Sequence, residues 1–262
     1  MHFKKEHIIG LLNRISIFAA ENLNEIKKVV ADNTNEFDST YAGLVIRQYT
    51  IINDLKILFE TKVEGYLTSE FILFRCIIDD YIHFTYAVNQ EDKDECIIRM
   101  NADAYNKNFN KIEELAKLND EKLEGKYPFY PTRDFLKEIK EIFKNKPENA
   151  HRFIDKDNFK LKSFPTTGNL IRGLGDNAYS HSLIRAYFIW RKYSDFVHYS
   201  YVPYAEEVLI NPLEDETYSE YAEIIYYSYM NIINSMQHFV DTHRLNIIDS
   251  NNLAEYYKDS ER

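Results

Sequence analysis

Apolar residues recur at every third or fourth position along most of this chain, which is the period of an amphipathic helix. Ile8, Leu11, Leu12, Ile15 and Phe18, continued by Ile26, Val29 and Val30, predict a long first helix. A polar, turn-rich stretch from Asn33 to Thr40 separates it from a second run of Tyr41, Leu44, Val45, Tyr49, Ile52, Leu55 and Phe59, which ends near Glu64-Gly65. So short a connection predicts an antiparallel pair. Thr68 or Ser69 supplies an N-cap for a third helix, in which Phe71, Ile72, Phe74, Ile78, Tyr81, Ile82 and Tyr86 leave little polar face. A helix that is apolar nearly all round belongs at the centre of a bundle.

Glu91 to Leu118 predicts a fourth helix whose acidic first turn suits the helix dipole. Gly125 to Pro131 interrupts the pattern, Thr132 to Lys146 gives a short charged helix, and periodicity weakens from Pro147 to Gly168. Thr166 to Gly175 reads as a short helical turn, and Asn177 to Tyr199 as a helix stopped by Pro203. After the break at Asn211-Pro212, Thr217 to Leu245 predicts a long helix rich in Tyr, Ile and Met, and residues 246–262 a frayed tail with room for one more turn. The expected fold class is therefore all-α, a single-domain multi-helix bundle over residues 1–262 centred on helices near 69–89 and 177–199.

Composition supports this reading. Seven glycines and six prolines in 262 residues leave few of the positions that tight β-turns require. The net charge of -10 excludes a surface that grips nucleic acid everywhere through Lys and Arg. Between Arg133 and Arg172, however, ten basic residues face six acidic ones, a local excess that suits a basic groove. Cys76 and Cys96 are too few for a disulfide framework, and Lys4, Lys5 and Glu6 precede no long apolar run. We expect reduced thiols, a cytoplasmic location and no membrane insertion.

Candidate chemistry concentrates between Trp190 and Tyr204. On a continuous helix, Arg191, Ser194 or Asp195, and His198 fall at i, i+3 or i+4, and i+7, which places a guanidinium, a hydroxyl or carboxylate and an imidazole on one stripe. Arg75, Asp79 and His83 form a similar row on the third helix, so two Arg-carboxylate-His rows stand ready to face each other. Asp79, Asp80 and His83 have metal-ligand spacing, with His198 as a candidate fourth group from another helix, but di-metal bundles use paired Glu-x-x-His helices and this cluster carries Asp in place of Glu. No metal and no cofactor are expected. Gly168 to Gly175 lacks the Gly-Lys-Ser/Thr ending of a phosphate loop and reads as helix stops. Tyr193, Tyr199 and Tyr201 flank the stripe and are the candidates for stacking on RNA bases.

The spacing from Arg191 to His198 resembles that of the HEPN superfamily, compact helical proteins that include prokaryotic toxin and phage-defence ribonucleases. The wider pattern, Phe74-Arg75-Cys76-Ile77-Ile78-Asp79-Asp80 followed by Tyr193-Ser194-Asp195-Phe196-Val197-His198, is also similar to that of an uncharacterised bacterial helical family. The resemblance covers mainly Phe71 to Ala87 and Phe164 to Tyr204, and Lys192 stands where the HEPN motif favours a small polar residue. It implies metal-independent RNA cleavage, with His198 as general base or acid, Arg191 stabilising the charged transition state, and Ser194 or Asp195 orienting the imidazole. It also implies a site formed across a homodimer. The competing expectation is a non-catalytic interaction or adaptor protein, in which the same Arg, Asp, Ser and His side chains only clasp the bundle together.

Overall fold

The computed structural model describes residues 3–31, 35–61, 67–126, 131–146, 152–154, 160–197 and 215–260. Among them nine helices appear, namely α1 (Lys5–Val30), α2 (Glu36–Glu60), α3 (Leu67–Val88), α4 (Lys93–Leu123), α5 (Arg133–Asn145), α6 (Thr167–Arg172), α7 (Ser180–Ser194), α8 (Asp215–His243) and α9 (Leu253–Ser260). No strand is present among the described residues, where Ile154 and Leu161 make only an isolated bridge. The fold is all-α, as the apolar periodicity requires. The chain divides into two compact units, one of residues 1–86 and 169–262, the other of residues 87–168.

The first unit is assembled from α1, α2, α3, α7, α8 and α9. The predicted apolar stripe of α1 is buried through Ile8, Leu11, Leu12, Ile15, Phe18 and Ile26, and packs against α2 and α8. Asn35 opens α2 by accepting a hydrogen bond from the Asp38 amide, satisfying one of the donors that a helix start leaves without an intrahelical partner. α3 is the most apolar element. Phe74, Ile77, Ile78 and Ile82 are fully buried, and Phe74 packs its ring against Phe59 of α2, Tyr193 of α7 and Tyr221 of α8. Its central position follows directly from a sequence with no broad polar face. Asn231 of α8 donates to the Ile77 carbonyl across 3.3 Å, a polar tie between two buried helices.

The segment expected to fray is pinned down. Asp249 accepts hydrogen bonds from the amides of Leu253 and Ala254 and so caps α9, while Leu253 is fully buried. Asn22 of α1 clasps Ile248 at both its amide and its carbonyl, and the Arg14 guanidinium lies 5.3 Å over the Tyr256 ring. Buried Asn22, which also donates to the Phe18 carbonyl of its own helix, thereby helps to hold this segment against α1.

In the second unit α4 and α5 close on a separate small core of Ala102, Phe109, Leu136, Phe143 and Phe153. α4 extends to Leu123, beyond the expected end at Leu118, and stops where Glu124 and Gly125 take left-handed backbone. Arg133 pairs with Asp120 and Lys140 with Glu113, so part of the positive excess in this region is matched by carboxylates of α4.

Candidate functional site

Leu183, Ala186, Ile189 and Tyr193 are buried along one face of α7, which seats that helix on α3 through tilted ring contacts of Tyr193 and Phe196 with Phe71. The polar residues of both helices are left along the edge of this apolar contact. On α3 the four-residue spacing of Arg75, Asp79 and His83 gives a single stripe, and it is this stripe that meets α7.

Arg75 donates from Nε to Ser194 Oγ at 3.1 Å, and its guanidinium lies 5.1 Å from the centroid of the Trp190 ring. Ser194 in turn donates to the Trp190 carbonyl at 2.6 Å. The indole Nε1 of Trp190 donates to Asp79 Oδ1 at 2.9 Å, and His83 Nδ1 lies 2.8 Å from the Asp79 carbonyl and 3.7 Å from its carboxylate. That contact to a carbonyl oxygen places the proton of a neutral His83 on Nδ1. A cation, a hydroxyl, an indole, a carboxylate and an imidazole thus form one connected chain across two helices. Asp80 is drawn elsewhere: Arg47 and Gln48 of α2 donate to it at 2.7 and 2.8 Å, and burial pushes its carboxyl up to about 6 despite Arg47.

The stripe predicted on α7 does not run as a continuous helix. The helix ends at Ser194, not at Tyr199, and the Phe196 and Val197 amides bond three residues back instead of four. Arg191 and Asp195 are exposed, whereas Ser194 is buried and turned to Arg75. Tyr193 is 1% exposed, with its hydroxyl donating to Glu220 at 2.7 Å, so its ring offers no face to a base. Lys192 bonds the same Glu220 at 2.9 Å. Burial beside that carboxylate raises the Tyr193 hydroxyl well above the usual phenol range. His198, Tyr199 and Tyr201 lie outside the described residues. The structure therefore joins Ser194 to Arg75, and through Trp190 to Asp79 and His83, while Arg191 and Asp195 face solvent beside them. Trp190 is the connecting residue that spacing alone did not single out.

A second polar cluster was not anticipated. Asp38, fully buried in the first turn of α2, lies 2.7 Å from His238 Nε2 and 3.1 Å from His243 Nε2 of α8. The ligand atoms of these three side chains all fall within 4.8 Å of one another. Asp38 sits in a stretch that reads as a turn, 200 residues from His238, so no local spacing could have paired them. Among the described residues, no helix is long and apolar enough to cross a membrane. The chain matches no family model, no curated protein and no solved structure.

Proposed function

We propose that the edge of the α3–α7 contact is the working site of a HEPN-like protein that acts on RNA without a metal ion. The observation that carries this reading is the Arg75–Ser194 hydrogen bond, which ties Ser194 of the α7 row to the polar row of α3, four residues before His198 in the sequence. In this reading exposed Arg191 binds and stabilises the phosphate, a task suited to a forked, permanently charged guanidinium. His198 moves the proton of the 2'-hydroxyl, and Arg75, Asp79 and Ser194 hold the segment that presents it. A second copy of the chain completes the site in the homodimer that the resemblance implies. RNA incubated with purified protein in chelator should be cleaved by the wild type and spared by the His198→Ala and Arg191→Ala variants. Equal cleavage by all three, or none by any over a broad panel of RNAs, overturns the proposal.

One observation favours a second reading. Ser194 is only 5% exposed and both of its hydrogen bonds are internal, as expected of a clasp in a non-catalytic interaction protein. Under that reading Arg75→Ala lowers the melting temperature and changes no RNA signal.

A further inference from the structure

Asp38 has no exposed surface, and a buried carboxyl needs partners in place of the water it has lost. The first turn of α2 supplies part of the answer, because helix N-terminal amides favour a negative charge there. Two imidazoles face the carboxylate, and both turn the same ring nitrogen toward it. His243 is the last residue of α8, where the helix carbonyls favour a positive charge. Arg244 then takes left-handed backbone with its amide bonded to the Val240 carbonyl, so the chain turns away immediately beyond the cluster.

The arrangement is held from outside. His238 stacks on Tyr41 with ring centroids 4.0 Å apart and planes 5° from parallel, and His243 lies against Phe239 at 6.0 Å. The two imidazole planes are 77° apart, so their nitrogens approach the carboxylate from different directions. Donor atoms on a tetrahedral zinc ion, at about 2.0–2.1 Å each, stand about 3.3 Å from one another. The observed nitrogen-to-oxygen separations are 2.7 and 3.1 Å and all three ligand atoms lie within 4.8 Å of one another, so an ion would have to spread the donors by up to about 0.6 Å.

From this geometry we propose that Asp38, His238 and His243 bind a divalent transition-metal cation of the zinc class. Two imidazoles and one carboxylate suit zinc, cobalt or nickel and not calcium or magnesium, which require mostly oxygen donors. Three protein donors leave a coordination position for solvent or a small anionic ligand. The histidine side chains are 13% and 22% exposed against 0% for Asp38, so an ion enters from the imidazole side. This site is independent of the RNA reading, which invokes no metal.

The test uses the full chain, stripped by dialysis against chelator and titrated with cobalt(II), then with zinc in competition. One equivalent of cobalt should give the visible bands of a low-coordinate complex, and zinc should displace it. His243→Ala and His238→Ala should each weaken binding by at least about tenfold, while exposed His181→Ala should leave it unchanged. No stoichiometric binding by the wild type, or binding undiminished in both variants, overturns the proposal. Should either variant fail to melt cooperatively, histidine-selective NMR of the wild type decides. Zinc must then shift two imidazole signals and no others, and a shift of none, or of the exposed histidines, counts against the site.

Discussion

Glu70 is a carboxyl on α3 with 9% of its surface exposed, close enough to Tyr193, Tyr218 and Tyr221 for each phenol to feel its charge. Burial pushes it from an ordinary 4.5 up to about 7, and Lys5 offsets only part of that rise. Between those two values the folded protein holds a proton that the unfolded chain releases, so stability falls as pH rises through this window. The penalty at pH 8 amounts to about 3 kcal/mol, against about 1 kcal/mol at pH 5 and nothing well below 4.5. Glu70→Gln removes the charge and keeps the shape. Any cost of housing the amide is the same at both pH values, so the readout is how the gap between variant and wild type changes with pH. Urea denaturation at pH 5 and pH 8 should show the variant gaining about 2 kcal/mol on the wild type between them. The buried Asp80, also raised, is present in both proteins and cancels. A gap that does not change from pH 5 to pH 8 refutes the argument, since Glu70 would then bear no desolvation penalty.

Three further outcomes follow from the packing. Phe74→Ala empties a fully buried site lined by Phe59, Tyr193 and Tyr221 and should lower stability by about 3–5 kcal/mol, read as a lower urea midpoint. Asp249→Ala removes the cap of α9 and should cost about 1 kcal/mol, with faster hydrogen exchange at the Leu253 and Ala254 amides. A double-mutant cycle of Arg75→Ala and Ser194→Ala, followed by the fluorescence of the single tryptophan, should give a coupling of about 1 kcal/mol.

Much of the architecture is legible along the chain because burial and helical period are local facts. Ile8 through Ile26 in α1, and the nearly all-apolar face of α3, end up inside where their spacing puts them. Fraying of residues 246–262 was the natural expectation, since a short polar segment carries no stripe of its own. Its order comes from tertiary partners, among them buried Leu253 and Asn22, whose side chain lies 226 residues away from the backbone it clasps. Asparagine in mid-helix is usually a weak helix former, and only the tertiary partner explains its place in α1.

The candidate site shows the same limit at closer range. Spacing on an ideal helix puts Arg191 and Ser194 about 60° apart, near enough to count as one stripe. The structure separates them, because Ser194 turns inward to Arg75 while Arg191 stays in solvent. Ser194 also bonds the carbonyl four residues back, which suits a hydroxyl at a helix that is about to stop, and the following amides tighten to three-residue bonds. A periodic pattern describes the middle of a helix and loses its meaning at the end. Several members of the two polar clusters described lie at such ends: Ser194 closes α7, Asp38 falls in the first turn of α2 and His243 closes α8. Helix ends expose amides and carbonyls that attract charge, and there the chain direction changes, so Asp38 and His243, 205 positions apart, can meet. Sequence periodicity is least informative at such ends, and the metal titration tests a cluster that no periodicity could have assembled.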